Sequence, residues 1–274
     1  MIFIIISTIL FGFLDSLWRP LILEKGLGSV LVHRTILTAL FISVAFLFSQ
    51  DSFVYNPKMI LITIGSGAIS CIGLVSLTKA FAREKTATVV FLNVFTLLIG
   101  QITSYILFSQ EISFTKYMLQ ISFAMLSIIL INEGGIKLSR GILFALVASF
   151  SFGIAYPLMG VPISELGSLQ ATMIQELTVL ASILLYFLVI SKVKINMRFF
   201  YDSKILLLSI CTTVSLILYF FAYNYLPVYK INLVANLYPV TALLSAAVLF
   251  NERLTHKQYA GIFIALLTTI TLFL

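Results

Sequence analysis

Hydrophobic residues run along this chain in ten long stretches separated by short polar breaks. They fall at approximately Ile2–Leu23, Val30–Phe48, Met59–Ala82, Thr86–Ser109, Phe114–Ile131, Leu138–Val161, Ser168–Ile190, Ile205–Tyr225, Ile231–Phe250 and Gln258–Leu274. Each stretch is roughly long enough to cross a hydrocarbon core of about 30 Å as a helix. The pattern predicts an all-α polytopic membrane protein with ten transmembrane helices. The breaks are mostly about 4–13 residues, too short to hold a soluble domain, so function is expected among the helices.

Composition sharpens this picture. The chain is 61% hydrophobic and 10% charged, against about 25% charged in an ordinary soluble domain, so a water-exposed surface cannot be built from it. The net charge of +7 does not point to nucleic acid, because the basic residues sit singly at helix ends and form no long run. They read as topology signals. Twelve of them, among them Lys25, Arg83, Arg140 and Lys204, fall on one side of the membrane, and only Lys58, Lys116 and Lys230 on the other. The positive-inside rule places the richer side in the cytoplasm and both termini outside. Met1 is followed at once by apolar residues with no basic leader, which predicts that the first stretch is retained as a helix. Cys71 and Cys211 lie inside hydrophobic stretches away from any Cys/His cluster, so neither zinc nor a disulfide framework is expected, and no cofactor is.

The chain also repeats itself. Leu107-Phe108, Ile112-Ser113 and Tyr117 line up in order with Leu249-Phe250, Leu254-Thr255 and Tyr259, and Phe11-Gly12 resembles Phe152-Gly153. The division falls into residues 1–134 and 135–274, five helices each. An odd number of crossings per half sets the two copies in opposite orientation, the arrangement of many secondary transporters.

These residues resemble the drug/metabolite transporter superfamily, in its ten-helix EamA-type branch. The likeness lies in Leu226-Pro227, Asn236-Leu237-Tyr238-Pro239, Leu249 through Thr255, and Gln258-Tyr259-Ala260-Gly261, with Glu111 and Ser113 as a weaker copy in the first half. Phe11-Gly12, the segment from Trp18 to Pro20, and Arg34 resemble the family's first two helices. The resemblance implies two inverted five-helix repeats around a central cavity working by alternating access, with both termini cytoplasmic, opposite to the charge bias. Leu97 or Leu98 stands where the family often places proline.

An ionisable side chain near the bilayer centre costs about 2.5–3.5 kcal/mol even on the lenient insertion scale, so each one needs a partner, water or a task. Asp15 is the deepest in the first half. It reads either as an ion pair with Arg19 one turn later, or as a charged cavity wall that meets substrate or carries a proton. Trp18 is an interface anchor or an aromatic face for a cation. Arg34 enters the second helix from the same side as Arg19. Glu176, in the seventh helix near the repeat position of Arg34, is the first candidate for proton coupling, with an interhelical hydrogen bond as the plainer reading. Asn93, Asn232 and Asn236 are either substrate contacts or helix-to-helix bonds, and Asn232 and Asn236 share a face, with Pro239 beyond them. Tyr219, Tyr223 and Tyr238 suit an aromatic cavity, whereas Tyr225 and Tyr229 suit the interface. The cluster Gly65-Ser66-Gly67-Ala68 predicts close helix packing.

The leading expectation is a secondary active transporter for a small polar metabolite or amino-acid-like solute, by proton coupling or exchange, in a bacterial inner membrane. Its expected partners are the solute, the lipid bilayer and a coupling proton, with no nucleic acid; monomer and homodimer both remain open. No Walker-type loop supports a primary pump. An intramembrane enzyme or a non-transporting scaffold is the alternative, but His33 and His256, both near helix ends, have no nucleophile in any motif beside them.

Overall fold

The structure, a computed structural model, describes residues 1–109, 122, 126, 129–130, 139–191, 202–235, 237–250 and 255–273. The first three spans are single helices: α1 (Ile2–Lys25), α2 (Leu27–Phe48) and α3 (Pro57–Phe81). The fourth is broken into α4 (Thr86–Leu92) and α5 (Val94–Phe108). Then follow α6 (Arg140–Leu158), α7 (Gly160–Leu166), α8 (Ser168–Leu185) with a π-helical turn over Tyr186–Ser191, and α9 (Ser203–Phe221). The chain continues through α10 (Val228–Ala235), α11 (Tyr238–Phe250) and α12 (His256–Phe273).

Seven helical segments among the described residues are long and apolar enough to cross a membrane: α1, α2, α3, α4 with α5, α6 with α7, α8 with its π turn, and α9 with the 3₁₀ turn after it. The chain is therefore an all-α, multi-pass membrane protein. The expected fifth segment, 114–131, lies largely outside the described residues, as do Glu111, Ser113, Glu252 and Arg253. The ninth stretch forms two shorter helices, because Pro239 has no N–H to donate to the carbonyl four residues back.

Helix boundaries follow local chemistry. Asn56 caps α3 by accepting from the Met59 amide at 3.3 Å, with Pro57 in the first turn. Ser139 caps α6 and Asp202 caps α9 in the same way. Between α1 and α2 the chain reverses on Gly26 alone, at φ 84°, and between α7 and α8 on Gly167, at φ 79°. Glycine takes this left-handed backbone without the clash that a Cβ would bring.

The surface is apolar where lipid would lie, with Phe48 82%, Leu47 76% and Ile106 71% exposed. The interior is rich in hydroxyls, most of which turn back on their own helix: Thr8 donates to the Ile4 carbonyl, Thr35 to Leu31 and Thr212 to Leu208, each at 2.7 Å. A hydroxyl satisfied this way needs no water.

The principal packing comes in matched pairs. α1 lies against α9 and α11, and α6 lies against α3 and α5; α2 packs on α9 as α8 packs on α3, and α2 and α8 meet each other. Gly12 admits α11, since a Cβ there would sit 2.6 Å from the Ala242 amide nitrogen, and Gly153 admits α5, with the Thr96 carbonyl 2.8 Å from its Cβ position. Ser7 of α1 donates to the Ser215 carbonyl of α9 at 2.8 Å, and Ser66 of α3 donates to the Ala155 carbonyl of α6 at 2.9 Å.

At one end of the bundle Lys25 binds Asp202 at 2.5 Å and Lys204 binds Glu24 at 3.0 Å, tying α1 to α9. At the other, Asn56 donates to Glu165 at 2.5 Å, tying α3 to α7. Partial burial raises the Asp202 carboxyl, but the bond from Lys25 and the amides of Ile205 and Lys204 outweigh it and hold it below its ordinary range. A depressed carboxyl contributes stability that is full above its unfolded value and is lost as pH falls through the folded one. Acid below about pH 4 should therefore loosen this tie. Asp202→Asn, which keeps a capping side chain but not the charge, is expected to remove that part of the acid sensitivity in thermal unfolding; an unchanged acid limb would contradict it.

Candidate functional site

The centre of the bundle holds a cavity whose empty space, open mouth included, is about 940 Å³. Helices of both halves line it. α1 contributes Thr8, Asp15 and Trp18, α2 contributes Arg34, and Asn93 and Gly100 come from the broken fourth span; Phe152, Tyr156, Tyr219, Asn232 and Tyr238 come from the second half.

Two helix breaks shape its polar wall. At Asn93 the backbone tightens, with the Thr96 amide bonding the Asn93 carbonyl at 2.9 Å; between α10 and α11 the Leu237 amide bonds the Val234 carbonyl at 3.0 Å in the same manner. Non-helical backbone at this depth is tolerated where it is buried in protein or lines a cavity. The breaks bring Asn93 and Tyr238 together: Asn93 Nδ2 donates to the Tyr238 hydroxyl at 2.5 Å. The Tyr238 hydroxyl also faces the Asp15 carboxyl across the cavity wall, and since it already accepts from Asn93, its own proton is available to that side. Ser149 donates to Asn93 Oδ1 at 3.1 Å. Tyr238, Asn93 and Ser149 are thus hydrogen-bonded in a row with Asp15 beside its Tyr238 end, so that the group draws on four spans.

A second polar group lies deeper along the wall. Asn232 donates to Ser104 Oγ at 3.1 Å and accepts from the Tyr219 hydroxyl at 3.3 Å. Between the two groups stand aromatic rings: Phe152 stacks on Tyr156 with centroids 5.3 Å apart, and Tyr156 meets Tyr219 at 5.4 Å.

The third feature is an ion pair. Arg34 Nη1 lies 3.7 Å from Glu176 Oε2, joining α2 to α8, with side chains 7% and 6% exposed. Arg34 reaches the cavity; Glu176 stands behind it. Next to Glu176, Gln175 donates to Ser66 at 3.2 Å and to Ser70 at 3.1 Å.

Of the residues singled out in the sequence, Asp15, Trp18, Arg34, Asn93, Asn232 and Tyr238 therefore share one cavity. Arg19 does not line it, and among the described residues no ion pair joins Arg19 to Asp15, whose carboxyl faces Tyr238. Tyr223 is behind the wall, donating to the Tyr156 carbonyl at 2.9 Å. Asn236 lies outside the described residues. Tyr156 and Ser149 were not singled out. Tyr156 could have been, since it is the residue onto which Asp15 falls when Gly12 is laid on Gly153. Among the described residues no group of three or more His, Cys, Asp or Glu could hold a metal ion.

The chain is thus a membrane-embedded, all-helical bundle with a cavity walled by helices from both halves of the sequence, mostly apolar with a few polar groups converging on it. Residues 139–274 match the model of the EamA-like transporter family, which supports placement in the drug/metabolite transporter superfamily. Residues 139–274 are thus similar to an EamA domain, within a multi-pass membrane protein. A solved structure described as "Crystal structure of protein" is similar along its whole length, with a TM-score of 0.68 and 15% identity over 98% of this chain and 99% of that one. At that identity the likeness concerns the fold. No curated protein matches the chain.

Proposed function

We propose that the protein is a secondary active transporter that moves a small polar metabolite or amino-acid-like solute across a bacterial inner membrane by alternating access, with proton coupling or exchange. The observation that carries this reading is the convergence of Asp15, Arg34, Asn93 and Asn232 on one cavity walled by helices of both halves. Buried polar groups in a membrane interior are expensive, and their convergence on one space gives them a common task. The neighbours of α1, α9 and α11, correspond to those of α6, α3 and α5, and α2 on α9 corresponds to α8 on α3, which supports reading residues 1–134 and 135–274 as inverted five-helix repeats. Breaks in the fourth and ninth spans at the cavity wall fit a site at a repeat interface.

In this reading Asp15, Trp18, Arg34, Asn93, Asn232 and Tyr238 bind the solute, with Arg19, Tyr223 and Asn236 as outer contributors, and Glu176 or Asp15 carries the proton. Uptake and counterflow of a mixed metabolite library by purified protein in sealed proteoliposomes, with and without a pH gradient, test it. Saturable, protein-dependent accumulation supports a transporter, and no movement by folded protein argues against one. Asp15→Asn is expected to lower uptake at least tenfold, about 1.4 kcal/mol or more in transition-state terms, because the cavity wall loses its carboxylate. Glu176→Gln is expected to abolish gradient-driven uptake while sparing exchange; unchanged gradient-driven uptake would remove Glu176 from the proton role.

A further inference from the structure

We infer that Arg34 is a carboxylate-binding site whose resident occupant is Glu176, so that a substrate carboxylate enters by displacing Glu176 and one proton enters with it. This rests on the transporter reading above and specifies its solute as a carboxylate. The geometry is unequal on the two sides of the pair. Arg34 is on the cavity wall and Glu176 is not, so a solute in the cavity meets the guanidinium without passing the carboxyl. The two groups approach only to 3.7 Å, and among the described residues neither Arg34 Nε, Arg34 Nη1 nor Glu176 Oε2 has a hydrogen-bond partner, although both side chains are more than nine-tenths buried. A guanidinium offers five N–H donors in a planar fork that fits a carboxylate two-pronged. Glu176 does not use that fork. Arg34 thus keeps unbonded N–H donors for a carboxylate that arrives from the cavity side and turns the guanidinium toward it.

Charge conservation supplies the coupling. With Glu176 ionised, the buried pair is neutral. If a second carboxylate takes Arg34, Glu176 is left as an uncompensated buried anion, the most costly state of a broken pair. Protonation removes that charge and leaves an O–H donor in its place. No bond other than the O–H of Glu176 forms, and each carboxylate bound carries one proton in from water.

No neighbouring group takes over this role. The charged and titratable groups facing the pair are Arg34 itself and Tyr156 of α6, beyond which lies Asp15 of α1. His33, adjacent on α2, bonds the Ser29 carbonyl at 2.6 Å. From α3 the neighbours of Gln175 are the uncharged Ser66 and Ser70. The stacked rings of Phe152 and Tyr156 beside Arg34 favour carboxylates that carry an apolar or aromatic body.

The test is binding to purified wild-type protein of a panel of aryl and alkyl monocarboxylates, phenylacetate first, each beside its uncharged primary amide. Titration calorimetry from pH 5 to pH 8 in two buffers of different ionisation heat also counts the protons taken up. Carboxylates should bind at least tenfold more tightly than their amides. Affinity should fall about tenfold per pH unit where Glu176 is ionised in the empty protein, with one proton taken up per carboxylate. In Glu176→Gln the preference for carboxylates should survive while the pH slope and the proton uptake vanish. In the double variant Arg34→Gln/Glu176→Gln, which leaves no unpaired charge, the preference should disappear. Amides binding as well as carboxylates, no binding by any carboxylate, or a proton count that persists in Glu176→Gln would each overturn the inference. Uptake in proteoliposomes separates this from the broader reading: saturable transport of uncharged solutes alone overturns the carboxylate site and keeps the transporter, whereas proton-linked carboxylate binding without transport keeps the site and removes the transporter.

Discussion

Arg34→Leu is expected to destabilise the folded protein by about 3–5 kcal/mol, whereas the double substitution Arg34→Leu/Glu176→Leu is expected to fall close to wild type. The single change strands Glu176 between α2 and α8 without the guanidinium it faces, with its side chain only 6% exposed. Removing both ends replaces two desolvated charges by apolar packing of similar volume, and so removes the penalty together with the attraction. Reversible unfolding in detergent micelles measures both variants. Equal destabilisation of the single and double variants would mean that the side-chain volume of Arg34, and not its charge, matters there. The double variant separates fold from function, because it should be stable and inactive.

The second large effect concerns close helix approach. Gly12→Val and Gly153→Val should each destabilise by about 1–3 kcal/mol or more and reduce uptake severely, because the new side chain meets backbone atoms that cannot rotate away. At Gly12 the obstacle is the Ala242 amide of α11 and the Thr241 hydroxyl; at Gly153 it is the Thr96 carbonyl and the Ile99 side chain of α5. Each contact sets a wall of the cavity: α1 carries Asp15 one turn beyond Gly12, and α6 carries Tyr156 one turn beyond Gly153. Gly65→Ala is the internal control. A Cβ at Gly65 meets nothing within 4 Å, so this variant should match wild type in stability and uptake. If the Gly12 and Gly153 variants behaved like the Gly65 variant, close packing would not position the site.

The same glycine cluster separates what a single chain pattern can reveal from what it cannot. Gly65 and Gly67 look alike in the sequence, both small and both in the third hydrophobic stretch. Gly67 lies on Thr178 and Gln175 of α8, whereas Gly65 is open. Which face of a uniformly apolar helix turns inward is not written in its hydrophobic pattern, because lipid and protein interior are equally apolar. Asp15 is a similar case. Its neighbour one turn on, Arg19, is the obvious partner by spacing, yet the carboxyl faces Tyr238. The choice depends on the break between α10 and α11, which brings Tyr238 to the wall.

What hydrophobic run length and isolated charge determine is therefore the membrane class, most of the spans and a short list of candidate residues. A run of about 20 apolar residues has few alternatives to a membrane helix. An ionisable residue inside one is too expensive to be incidental, and so Asp15, Arg34 and Glu176 stand out. Tertiary structure decided everything that requires distance. It joined Arg34 to Glu176 across two helices, set Tyr238 in the cavity and Tyr225 at the exposed surface, and revealed Tyr156 as part of the wall. The physical reason is that an amide, a phenol or a guanidinium has its role set by which groups reach it. In a helical bundle those groups come from helices far apart in the chain.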